Sequence, residues 1–191
     1  MNERVVPVLT VESSDDAERA CKALLAGGLT SVEITFRTGA AVDAIRRASR
    51  IEGLRVGAGT VLSVEQLDAA MEAGAQFAVA PSTNPVVVEA ARRAGLPFIP
   101  GAATPTEIDR ARELGCDVVK IFPAALLGGS AFIKAVSSVF PGLRFVPTGG
   151  ITADNLGDYL ALPSVVACGG TWITAQLDGI EERARAAAMV G

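Results

Sequence analysis

The chain has 191 residues, half of them hydrophobic and 20% charged, with a formal net charge of −4. That length fits one domain, residues 1–191, with a sizeable core, and the mildly acidic balance offers no basic footprint for nucleic acid. Histidine is absent, which excludes a Ser-His-Asp triad and histidine-ligated metal, so acid–base chemistry must fall to other groups.

The opening residues, MNERVVPVLTV, turn straight into a strand at VVPVL (5–9) with no signal-peptide layout. No apolar run reaches the roughly 18 residues of a transmembrane helix. A cytoplasmic protein without membrane contact is expected. Next comes SDDAERACKALLAGG, a helix with Asp15 at its start and Gly27 and Gly28 at its end. SVEITF (31–36) is the second strand and LRVGAGT (54–60) the third, followed by VEQLDAAMEAG with Ser63 as N-cap and Gly74 behind it. QFAVAP (76–81) and PFIPGA (97–102) follow, then PTEIDRARELG with Thr106 at its start and Gly115 at its end. DVVKIF (117–122), RFVPTG (144–149), ITADNLGDYLA with Thr152 as cap, and VVACGG (165–170) complete the series. Cys21, Cys116 and Cys168 are odd in number and far apart, which favours reduced, buried thiols over disulfides.

Eight strands alternating with helices imply a parallel sheet, and the count predicts a single-domain α/β (β/α)8 TIM barrel. A doubly wound open sheet is the alternative. It lacks the expected G-x-G-x-x-G after the first strand. In a barrel, function gathers at the carboxyl ends of the strands. Alternation along SVEITFR sets Val32, Ile34 and Phe36 outward and Glu33, Thr35 and Arg37 inward.

The same logic turns Lys120 inward between the outward Val119 and Ile121. The chain has only three lysines, and the other two, Lys22 and Lys134, fall in helical segments. Lysine is rarely buried unpaired. The residues leave two roles open to Lys120: an ion-pair partner of Glu33, or a catalytic amine. Two Gly-Gly pairs, Gly149-Gly150 and Gly169-Gly170, close the seventh and eighth strands, where this fold often binds phosphate through backbone N–H groups. Tight turns alone would also explain either pair. Thr60 ends the third strand at the same rim.

Together these segments resemble the 2-keto-3-deoxy-6-phosphogluconate (KDPG) aldolases, grouped with the 4-hydroxy-2-oxoglutarate (KHG) aldolases. The similarity runs in order through VVPVL, AGGLTSVEITFRT, VGAGTVL, GAQFAVAPSTNP, PFIPGAATPTE, VVKIFPA, RFVPTGGIT and GGTW. The resemblance implies a class I aldolase that needs no metal or organic cofactor and cleaves KDPG to pyruvate and glyceraldehyde 3-phosphate. It extends to KHG, cleaved to pyruvate and glyoxylate.

By the same resemblance Lys120 forms the Schiff base, Glu33 is the general acid/base, and Arg37 and Thr60 hold the substrate carboxylate. Thr148 lines the pyruvate end, and Gly149, Gly150, Gly169, Gly170 and Thr171 bind phosphate. The resemblance further implies a small, phosphorylated 2-keto acid as the partner and a homotrimer as the assembly. Three departures bear on substrate preference: Ala80-Pro81-Ser82 stands where many members read SPG, Ala125 where many carry glutamate, and Thr171 where serine is common. A sugar-phosphate isomerase or epimerase, or a non-catalytic phosphate-binding barrel, would share the glycine corner.

Overall fold

The structure, a computed structural model, describes residues 4–190. Strands and helices alternate: β1 (Val5–Leu9), α1 (Ser14–Ala26), β2 (Ser31–Thr35), α2 (Ala41–Ala48), β3 (Arg55–Gly59), α3 (Val64–Glu72), β4 (Phe77–Val79), α4 (Pro85–Ala94), β5 (Phe98–Ile99) and β6 (Gly101–Ala102). There follow α5 (Pro105–Glu113), β7 (Val118–Ile121), α6 (Gly129–Val139), β8 (Arg144–Pro147), α7 (Leu156–Leu160), β9 (Cys168–Gly170) and α8 (Ile180–Ala188). Every expected strand is present, and the expected fifth is divided. Proline at position 100 has no N–H to give the ladder, so β5 pairs with β4 while β6 pairs with β7.

All pairings are parallel. Six strands run in the order β5-β4-β3-β2-β1-β9 and three in the order β6-β7-β8, and the bridges Phe145↔Val165 and Thr148↔Gly169 join the end of the second group to the segment entering β9. The sheet curls into a half-barrel with helices outside it. Where β5 and β7 part below Pro100, a cavity of about 370 Å³ opens between Phe98, Val118 and Arg144.

Side-chain alternation builds two layers. Val32, Ile34, Val56, Ala58, Val119 and Ile121 are fully buried in the apolar core, as expected of strands covered on their outer face by helices. The opposite faces carry the polar exceptions: Glu33, Thr35, Lys120 and Thr148 are all buried. Glycines past α1, α3 and α5 stand where expected, with positive φ at Gly28, Gly74 and Gly115.

Three N-caps differ from the sequence reading. Ser13 caps α1 in place of Asp15, and Thr104 caps α5 in place of Thr106, in a reciprocal box with Glu107. Pro105 explains the second shift: as the first helical residue it has no N–H to satisfy, so the cap must precede it. Asn155 precedes the short α7, and its Oδ1 accepts from the N–H of Thr152 at 2.9 Å. Cys21 and Cys168 are buried thiols, whereas Cys116 is only half-buried.

Candidate active site

β2 and β7 lie in different strand groups, yet their inward side chains meet. Lys120 Nζ lies 3.1 Å from Glu33 Oε1 and 3.3 Å from Oε2, with both side chains 4% exposed. Curling of the sheet brings them together. The Phe122 ring lies beside the ammonium, its centroid 5.9 Å from Nζ. The ion-pair reading of Lys120 therefore holds in the resting protein.

The strands around this couple are short of side chains. Glu33 is in register with Gly57 of β3, and Lys120 with Gly101 of β6. The Phe77 ring fills the space beside Gly57, where a Cβ would fall 2.2 Å from it, and Arg55 packs over that ring at 5.1 Å. Thr35, one inward step beyond Glu33, shares a 2.7 Å hydrogen bond with Thr10 at the end of β1.

Arg37 and Thr60 sit at the rim as the strand pattern indicates. Arg37 Nε donates to Thr60 Oγ1 at 3.2 Å. Thr60 has φ +58°, a left-handed conformation that costs a β-branched residue energy and recurs at functional sites.

The glycine segments come together next to β7. Thr148 N–H donates to Ile121 C=O at 2.9 Å, and the N–H groups of Ala124 and Ala125 donate to Thr148 and Gly149 C=O at 2.8 and 3.0 Å. Thr148 bridges to Gly169, whose missing Cβ leaves room for the Thr148 hydroxyl: a Cβ there would lie 2.4 Å from Oγ1. That hydroxyl is buried without a partner among the described residues, an arrangement that awaits a ligand or water. Gly149 and Gly150 have φ +94° and +76°, a left-handed turn that glycine adopts without strain. Asn155 Nδ2 fixes the turn by donating to Gly150 C=O at 3.0 Å. Gly170 lies under the Trp172 ring, and exposed Thr171 accepts from the Thr174 N–H at 3.1 Å.

The candidate site residues Glu33, Arg37, Thr60, Lys120, Thr148, Gly149, Gly150, Gly169, Gly170 and Thr171 thus lie within the strands or in the turns that follow them. Gly59, Phe122 and Ala125 were not singled out as site residues. Their signal is partial: Gly59 belongs to a G-A-G pattern and the other two flank Lys120, but their contacts depend on register and turn geometry. Among the described residues, no group of His, Cys, Asp and Glu could hold a metal ion, and no helix is long and apolar enough to cross a membrane.

A parallel α/β scaffold with a buried lysine–carboxylate couple at its mouth suits an enzyme of carbonyl chemistry, and comparison with known proteins identifies it as a carbon–carbon lyase. The chain belongs to the KDPG and KHG aldolase family, whose sequence model, described as "Aldolase: KDPG and KHG aldolase", matches residues 1–186. It is 51% identical over 172 residues to the 2-dehydro-3-deoxy-phosphogluconate aldolase of Treponema pallidum, covering 89% of this chain and 81% of that one. The crystal structure of the 2-keto-3-deoxy-6-phospho-gluconate aldolase from Zymomonas mobilis superposes with a TM-score of 0.95 at 37% identity, over 99% of this chain and 94% of that one. The Legionella pneumophila KDPG aldolase, solved with pyruvate captured as a covalent carbinolamine, gives 0.89 at 35% identity, over 98% and 92%.

Proposed function

We propose that the protein is a class I aldolase that cleaves KDPG to pyruvate and glyceraldehyde 3-phosphate, and also KHG to pyruvate and glyoxylate. The observation that carries this reading is the buried Lys120–Glu33 couple. An amine attacks a ketone only when neutral, and a carboxylate in direct contact can receive its proton. The carbinolamine in the Legionella structure supports the same chemistry for that relative.

In the proposed sequence Lys120 Nζ adds to the ketone carbon of the keto acid, and loss of water gives an iminium. Arg37, with the Thr60 hydroxyl, holds the substrate carboxylate in a charge-assisted hydrogen bond. Glu33, directly or through one water, takes the proton of the C4 hydroxyl. The C3–C4 bond then breaks, its electron pair passes into the iminium to give an enamine, and the aldehyde leaves. Protonation at C3 and hydrolysis free pyruvate and restore the lysine. Thr148 lines the pyruvate end. Gly149, Gly150, Gly169, Gly170 and Thr171 hold the phosphate through backbone N–H groups, and the positive φ of Gly149 and Gly150 supports that role.

The wider reading is a single domain over residues 1–191, its sheet closed as a (β/α)8 barrel. The consecutive β5 and β6 and the bridges between the β8 and β9 segments support closure. A cytoplasmic homotrimer completes it, by family resemblance. The decisive test is incubation with pyruvate and borohydride, followed by intact mass and peptide mapping. One irreversible adduct is expected, on Lys120. Labelling confined to Lys22 or Lys134, or none, would sink the mechanism.

A further inference from the structure

We infer that Gly59 is a positioning residue for the base, because the space of its missing side chain is where the Glu33 carboxylate lies. This rests on the reading that Glu33 moves the proton. A Cβ built at Gly59 would fall 2.3 Å from Glu33 Oε1, 2.6 Å from Cγ and 2.8 Å from Cδ. Gly59 pairs with Thr35, one inward step beyond the level of Glu33 and Gly57. Phe77 occupies the space beside Gly57. Glu33 leans instead along β3 into the gap at Gly59, and from there both its oxygens reach Lys120 Nζ.

The need for glycine here is not conformational. Gly59 lies in a regular strand, it is absent from the positive-φ glycines, and its C=O accepts from Phe36 N–H at 2.8 Å. Alanine fits that backbone, and the group it would displace is the flexible end of Glu33. The substitution is therefore a steric probe of one carboxylate. The sequence hides this role, since G-A-G reads equally well as a close-packed strand.

The test compares Gly59→Ala, Glu33→Gln and Gly59→Ala/Glu33→Gln. Gly59→Ala is expected to lower kcat for KDPG cleavage by roughly 10²-fold, the scale of a misplaced acid/base, with KM changed by less than about threefold because Arg37 and the phosphate segments are untouched. If Gly59 acts only through the Glu33 carboxylate, adding Gly59→Ala to Glu33→Gln should change kcat by less than about threefold beyond Glu33→Gln alone. Unchanged kcat in Gly59→Ala, or losses that add in full in the double variant, overturns the inference. If Gly59→Ala folds poorly, thermal unfolding decides: in a Glu33→Ala background, where the obstructing carboxylate is gone, Gly59→Ala should lower Tm by much less than it does in the parent, and an equal loss also overturns the inference. Normal turnover by Glu33→Gln overturns the assignment of the base and this inference with it. Impaired Glu33→Gln beside unimpaired Gly59→Ala overturns the inference alone.

Discussion

Lys120 and Glu33 each give up hydration, and their contact with one another offsets that loss. Removing one member of a buried pair typically costs about 3–5 kcal/mol, whereas replacing both by apolar groups of similar volume is often neutral or stabilising. Glu33→Gln should therefore lower stability to urea while still forming the pyruvate adduct, and cleavage should fall by roughly 10²–10⁴-fold. Single-turnover trapping beside steady-state cleavage measures both. A Lys120→Met/Glu33→Leu variant should be inactive yet at least as stable as the parent, and a lower urea midpoint would refute that. Alternation in SVEITFR and DVVKIF made the inward direction of both residues legible. Their 3.1 Å contact was not, because nothing local to either strand states how sharply the sheet curls. The two roles left open for Lys120 are compatible: the ion pair describes the resting state and the proposed amine chemistry would follow from it.

The turns after β7 and β8 behave as one element. Two successive hydrogen bonds tie Ala124 and Ala125 to Thr148 and Gly149, and a Cβ at Gly150 would lie 2.4 Å from that of Ala125. Gly150→Val would have to displace this turn and also adopt an unfavourable φ of +76°. It should selectively erase the advantage of a phosphorylated keto acid over its unphosphorylated analogue, while the pyruvate adduct on Lys120 survives. Loss of both in a folded variant would make the glycines architectural. The Gly-Gly pairs were visible in the sequence, but their union with FPAA was not, since that depends on the register of β7 against β8. The caps show a nearer limit. Thr104-Pro105-Thr106-Glu107 offers two threonines, and the proline and the glutamate together select the first.

At the scale of the molecule, two buried thiols make stability depend on alkaline pH. Burial pushes the Cys21 and Cys168 thiols up to about 12, with Arg4 opposing it at Cys168. An unfolded chain ionises these groups near pH 9 and the folded one does not, so their contribution is intact below that pH and is lost as pH rises toward 12. Each thiol should add about 1.4 kcal/mol per pH unit to the loss of stability in that window. Cys21→Ala should flatten the slope by one such share in urea unfolding from pH 8.5 to 11. An unchanged slope would mean that the thiol ionises without unfolding.

The pair proposed to carry the reaction also has a history within each molecule. Its members are separated by 87 residues along the chain and belong to different strand groups, so no locally folded half can contain it. Closing so long a loop is slower than winding any of the eight described helices. During synthesis or refolding, chemistry is withheld until the two halves dock. In a refolding time course, pyruvate trapping should rise with the last cooperative phase, after most helical signal has returned. Capacity for covalent catalysis then serves as a clock for completed folding.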